Sequence, residues 1–588
     1  MSQSPHILAA SSHAPTRWAL SAVTAALLTA CGGGGGASFD SGSATTALSL
    51  SGSAASGAAI ASGKVEFKCA GGSGSATTLA DGSFGASIAG GVLPCVARVT
   101  AADGTVLHSL ALGSGSSARV DMTPATQLIV ARVAGSDPAS YYAAFDANAA
   151  AGLSNAAVAS AQTAVVAELK VGGVDLSGAG DLIAGPLKPK SGSTAGDAYD
   201  QALDAFAAAL SIAGSTLAAV TNAIVATSDA VTTQPSAPSS TPSLPAAMLL
   251  RPAAAGCPSL RSGTYRVVSP DPRGDLGTQF GLAVFDAASL TFRGQDGSTN
   301  VLTLVEPCHY TTSSGKSDLV VSAAGIIVAR SVNNDGSHSL SVAFPEQSHS
   351  LAELAGSWNL LGMQKNDPGG FTGIAGSYSV DAAGILSAGS VVNWCQNDAS
   401  WSIKGTDCVA KTGSFGSPPI ANPFGGFDVA DADGAVHSHA YAYRSGNGDL
   451  MLVKVDGNGS FQFRTKQRVN VLPTVGAVSN AWNVFLASSL FSTIANNTGS
   501  NKILSTDVAT QSWLRAQKNN GGNGDHPETL FANNPRNGYS LRPSGAAVDS
   551  NGATVSFGEF TSLGLRGMGL TPLLLPAPKL FLLSVLQP

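Results

Sequence analysis

Beyond Cys257 the chain is a run of short alternating segments punctuated by turns of the form Asp-x-x-Gly, at Asp381 to Gly384, Asp431 to Gly434, Asp456 to Gly459 and Asp549 to Gly552. Asp favours the start of such a turn, and Gly takes the positive φ that closes it into a hairpin. Hairpin following hairpin leaves a mainly β fold of antiparallel meanders. Composition agrees with it: 44% of residues are hydrophobic, 69 are glycine and only 12% are charged, against about 25% in ordinary soluble domains. Such a chain suits short strands, tight turns and small-residue helices. At 588 residues it is too long for a single core, and roughly 100–200 residues per domain predicts three to five domains.

The meander repeats. Ser262-Gly263-Thr264-Tyr265-Arg266-Val267-Val268 matches Ala355-Gly356-Ser357-Trp358-Asn359-Leu360-Leu361, and a Pro/Gly turn follows each. Ala283 to Ala288 matches Tyr378 to Ala383, and Cys308 matches Cys395. These matches place β units at 257–350 and 351–472, and Asn480-Ala481-Trp482-Asn483-Val484 opens a decayed third unit at 473–588. Leu570 to Leu586, broken by Pro572, Pro576, Pro578 and Lys579, is expected as a buried strand rather than a membrane span. The Gly-x-Trp opening of the second unit resembles that of lipocalin-like barrels. Each unit is therefore expected as a meander or small barrel.

Upstream the pattern changes. Thr232 to Pro245 is rich in Pro and Ser and cannot form a helix or a central strand, so 231–256 is expected as a linker. Residues 123–230 are predicted to be an Ala-rich helical domain. Thr123-Pro124 and Asp137-Pro138 are helix starts of the N-cap-plus-Pro kind, Ser154 begins a further helix, and Tyr199, Leu203, Phe206 and Leu210 recur at helical spacing. Tyr141, Tyr142 and Phe145 could form a ligand box, but plain core is the expectation. Over 47–122 the pattern is β: Val65 to Cys69 alternates, Asp81-Gly82 turns, Pro94 to Val99 alternates, and Asp103-Gly104 signals a hairpin. This order resembles a carboxypeptidase-regulatory-like domain, a small immunoglobulin-type β-sandwich. The resemblance implies a structural spacer or binding platform without catalytic residues.

The first 30 residues look like a secretion signal: Arg17 precedes an apolar core from Trp18 to Leu28, too short to span a bilayer. The core runs into Leu28-Thr29-Ala30-Cys31, which resembles the lipobox of bacterial lipoproteins. That resemblance implies cleavage before Cys31 and acylation of its thiol and amino group. Three acyl chains, at about 0.8 kcal/mol per buried methylene, hold a protein where one would let go. Gly32 stands where inner-membrane members carry Asp, which implies the outer membrane. Residues 31–46 then serve as a Gly/Ser tether.

Six further cysteines, Cys69, Cys95, Cys257, Cys308, Cys395 and Cys408, suit disulfides in an exported chain. Of the 15 pairings that six cysteines allow, domain boundaries favour Cys69–Cys95, Cys257–Cys308 and Cys395–Cys408. No Cys-x-x-Cys occurs.

Two clusters have chemical potential. His437-x-His439-x-Tyr441-x-Tyr443 follows Asp428, Asp431 and Asp433 on a predicted strand, whose period puts both histidines on one face. They could supply two metal ligands of the three or more a site needs, or pack as polar aromatics on a neighbour. Lys518 to Asn537, rich in Asn and Gly, contains Asp525-His526-Pro527-Glu528. Carboxylates flanking a histidine could serve acid–base chemistry; as a solvated loop the stretch is a binding candidate. Gly-x-Ser-x-Gly, Walker and His-Glu-x-x-His motifs are absent from the sequence, and no cofactor is implied. A net charge of −6 without a basic cluster gives no reason to expect nucleic acid. The expectation is a non-enzymatic, lipid-anchored envelope protein that binds an envelope protein or glycan, or supports an assembly. The alternative is an exported hydrolase of polysaccharide or ester with its site in 257–588.

Overall fold

A computed structural model of the chain describes residues 47–228 and 241–588, apart from 272–278, 335, 367–369, 385–391, 397–401, 404–407, 412–418, 423–424, 431–433, 488–493, 520–523 and 578. The expected signal and tether with Cys31, the first half of the linker, and Asp431 and Asp433 lie outside the described residues.

Strands β1–β7 occupy residues 47–119 and form two sheets, ordered β4-β1-β7 and β3-β2-β5-β6. Alternation places Leu48 and Leu50 of the first sheet against Val65, Phe67 and Leu107 of the second, all essentially buried. This is a small sandwich, and Cys69–Cys95 bonds two facing residues of its second sheet.

Helices α1–α6 follow over 124–226. Thr123 caps α1 (Pro124–Ala134) reciprocally: its hydroxyl accepts from Thr126 N at 3.1 Å, and Thr126 Oγ1 accepts from Thr123 N at 2.9 Å. Gly135 ends α1 in the left-handed region (φ 57°), which glycine enters without strain. Tyr142 and Phe145 are buried in the helical core with Leu128, Ile129 and Val165, and Tyr141 packs on Phe145. The aromatic trio is core. Among the described residues no single helix is long and apolar enough to cross a membrane.

The second half of the expected linker is not a linker. Residues 246–249 form a short helix α7 (Ala246–Leu249). Leu244 and Met248 are buried with the β units, while Ala246 and Leu250 are buried in the helical core. The Pro/Ser composition that rules out long regular elements does not stop apolar residues at 244–250 from acting as a clasp.

Strands β8 (Ala253–Ala254) and β9 (Cys257–Arg261) form a short pair, and strands β10–β17 (residues 263–345) close into an eight-stranded barrel in which the first strand pairs with the last. The Cys257–Cys308 disulfide ties the strand before the barrel to the turn preceding its fifth strand. Strands β18–β26 (356–466) make a nine-stranded sheet with the same wiring, β18 (Gly356–Asn366) against β26 (Phe461–Lys466), but the described strands leave it open between β21 (Cys408–Lys411) and β22 (Ile420–Ala421). Cys395 is disulfide-bonded and stands opposite Cys408 in register; the side chain of Cys408 lies outside the described residues. Strands β27–β36 (478–586) give a second closed barrel, with the hairpin β32–β33 (545–557) set apart from it. Leu570 to Leu586 is two strands, β35 (Leu570–Leu575) and β36 (Leu580–Leu586), because Pro576 and its neighbours turn the chain between them. One apolar cluster runs through all three β units, from Tyr265 and Phe285 through Met363 and Tyr443 to Trp482 and Phe581.

Candidate functional site

Eight strands enclose an interior just wide enough for side chains or for a ligand. In the second barrel, register sets Trp513, Arg515 and Gln517 of β29 (Ser512–Asn519) opposite Leu530, Glu528 and His526 of β30 (His526–Ala532). Trp513, Arg515, Leu530, Ser540, Phe560 and Ser562 all line a cleft of about 2250 Å³. Gly564, just after β34 (Phe560–Leu563), also lines it, and the cleft extends to the sheet and the helical domain, with Arg444, Lys466, Arg468 and Arg566 in its lining.

Asp525-His526-Pro527-Glu528 is thus not a surface loop. Asp525 and Pro527 are exposed; His526 and Glu528, 4% and 1% exposed, face into the barrel from a regular strand. Glu528 accepts from Arg515 Nη2 at 2.9 Å and Arg542 Nη1 at 2.6 Å, and His526 Nε2 lies 3.1 Å from it. Burial pushes the Glu528 carboxyl up, but the two guanidiniums outweigh it and hold the group below the usual glutamate range. Arg542 also stacks on Phe560, 4.5 Å from the ring centroid, and His526 on Phe557. The cluster backs Arg515, the member that lines the cleft, and its carboxylate is committed.

At the mouth, Arg468 Nη2 and Arg566 Nε approach the two oxygens of buried Asp449 at 2.8 and 3.5 Å. Arg444 donates to Glu353 Oε2 at 2.9 Å, and Glu353 is shared with His349. Lys466 donates to the carbonyls of Leu354 and Ala355 and lies 4.4 Å from the centre of the Trp358 ring. Burial lowers its pKa to about 8, and Arg444 and Arg468 add to that. Among the described residues the lining comprises six Lys or Arg against three Glu. The excess of cations persists when the ion-pair partners behind the wall, Arg266, Arg542, Asp449 and Glu528, are included. The cleft is therefore basic in a chain of formal charge −6. Its carboxylates are occupied: Glu346 by Arg266, Glu353 by Arg444, and Glu168 by the backbone N–H of Ala247.

His437 and His439 share a strand, β24 (Val436–Arg444), but not an environment. His439 is buried, bonded through Nδ1 to Asp428 and packed on Phe280 of the first barrel at 4.3 Å between ring centres. His437 is exposed at the strand's start. Among the described residues no group of three His, Cys, Asp or Glu is arranged to hold a metal. His439 thus packs as a polar aromatic on a neighbour, and His437 does not share that packing.

The basic mouth escapes a reading for charge runs, since its residues come from three distant segments. One local signal existed: Arg464-x-Lys466-x-Arg468 is a dense basic alternation in a chain that is 12% charged.

No family model matches the chain, and no curated protein does. Among solved structures, a protein of unknown function from Nostoc punctiforme aligns at 11% identity over 41% of this chain and 98% of its own, with a TM-score of 0.14. The isotype 1 transferrin binding protein B of serogroup B Neisseria meningitidis aligns at 10% identity over 56% of this chain and 78% of its own, with a TM-score of 0.17.

Proposed function

We propose that the protein is a lipid-anchored binding protein of the bacterial cell envelope, held at the outer membrane through Cys31, which takes a ligand into the cleft that opens from its second barrel. The observation that carries the binding role is the cleft of about 2250 Å³, beyond the ~300–1,000 Å³ of most small-molecule sites. The Glu528 cluster behind Arg515 is locked by ion pairs rather than poised for proton transfer, which supports binding over hydrolysis. The lipobox-like Leu28-Thr29-Ala30-Cys31 and the disulfides support export and anchoring.

Gly564 supplies the test. It lines the cleft, and a Cβ built there meets nothing within 4 Å. Gly564→Phe is expected to obstruct the cleft while leaving the melting temperature within about 2 °C, as for a surface change. Full-length protein and variant are incubated with an envelope extract and compared by native mass spectrometry. A bound species kept by the parent and lost by the variant supports the reading; identical spectra would contradict it. In the same preparation Cys31→Ser is expected to abolish fatty acylation and membrane partitioning, and retention of both would remove the anchor.

A further inference from the structure

The second barrel's cavity is built from two kinds of surface, and together they specify a chemistry. The wall carries aromatic rings, Trp513 and Phe560, and small hydroxyls such as Ser540, Thr571 and Ser584, beside aliphatic residues such as Leu530 and Leu573. An aliphatic tail would strip those hydroxyls of water and return no hydrogen bond, at a cost of about 1–3 kcal/mol each. A sugar ring offers hydroxyls on its edge and C–H bonds on its faces, so it suits both surfaces.

Among the described residues, cations outnumber carboxylates at the mouth. Arg468 and Arg566 share the single carboxylate of Asp449, and Lys466 is held by two backbone carbonyls and a ring. Asn359 gives an independent indication. It is 0% exposed and lines the cleft, and its Nδ2 donates to Asn537 O at 2.7 Å. Its Oδ1 has no partner. A buried acceptor left bare costs about 1–3 kcal/mol, so this oxygen is placed for a donor that a ligand brings. Asn359 and Arg468 line the same cleft, and the Asn359 amide and the backbone carbonyl of Arg468 both lie against Gly538.

We propose that the cleft binds an acidic oligosaccharide, with an anionic substituent at Lys466, Arg468 and Arg566, a ring hydroxyl donating to Asn359 Oδ1, and further sugar units along the wall of Trp513 and Phe560. This rests on the binding role proposed above and names its ligand class. A fatty-acid-like anion would meet the same cations but would leave the hydroxyl wall and Asn359 without partners.

The probes are trigalacturonic acid, neutral maltotriose and dodecyl phosphate, titrated calorimetrically into the full-length protein in a detergent that does not enter the cavity. Trigalacturonic acid is expected to bind at least tenfold more tightly than maltotriose. That preference should shrink at least fivefold in 0.5 M salt and in Arg566→Gln, and binding should vanish in Gly564→Phe. Lys466→Met should act in the same direction. Because Lys466 also packs on Trp358, its result counts only where the melting curve matches the parent's, and Arg566→Gln carries the test otherwise. Equal binding of maltotriose, or tighter binding of dodecyl phosphate, overturns the acidic-sugar assignment while the cleft remains a binding site. Failure of all three probes, with a bound species still captured from the envelope, also overturns it. Loss of capture as well removes the binding role itself.

Discussion

Glu528, buried, and Lys466, half-buried, are ionisable groups of opposite kind, and each predicts its own pH response. Glu528 is nearly inaccessible and serves two arginines. Removing its charge strands both guanidiniums, so Glu528→Gln is expected to cost about 3–5 kcal/mol in urea unfolding. A loss under 1 kcal/mol would show the cluster to be loosely held. Its pKa lies below the unfolded value. The stability it contributes is therefore present above about pH 4.3 and is lost as pH falls through the folded value. Lys466 is lowered to about 8 by burial, then by Arg444 and Arg468, against the pull of Glu353, which His349 and Arg444 share. Between pH 8 and about 10.4 the unfolded chain binds more protons than the folded one, so this lysine makes stability rise with pH there. Anion binding runs the other way: affinity is full below pH 8 and declines as pH rises through it. A flat affinity from pH 7 to 9.5 would place the ligand's charge away from Lys466.

Local signals at the level of helices and strands were decisive where they concerned ends and alternation. Thr123-Pro124 names the start of α1, and the structure adds that the Thr123 hydroxyl also meets Tyr199 OH at 2.9 Å. Thr123→Ala therefore loses a cap and a tertiary contact together. The expected cost is about 1–2 kcal/mol, measured as a lowered urea midpoint; an unchanged midpoint would mean the cap is redundant. Asp525 to Glu528 went the other way. Asn and Gly before it announce a turn, but His526, Glu528 and Leu530 alternate inward as a strand. Pro527 sits on the outward face, which let its neighbours look like loop. Likewise Leu244 to Leu250 follow a Pro-rich stretch, yet they are buried because two cores lie within reach of them.

Across the whole molecule the three β units behave as one body. Tyr539 of the second barrel reaches into the sheet, where its hydroxyl lies 2.7 Å from the carbonyls of Leu360 and Gly376 and accepts from Gly376 N at 3.2 Å. Trp482 Nε1 of the same barrel donates to Glu306 of the first at 2.9 Å. Calorimetry is expected to show residues 241–588 melting in one transition. Tyr539→Phe should lower stability by about 1–3 kcal/mol, since it leaves a buried N–H without its acceptor; separate transitions in the parent would contradict the shared core. The amino-acid order alone settled the mainly β class, the turns and the helix starts, because these depend on neighbours a few residues apart. Barrel closure, the packed clasp and the basic cleft were settled only on folding. Lys466, Arg566 and Asn359 lie up to 207 positions apart, and a cavity is a property of the surfaces that strand pairing brings face to face.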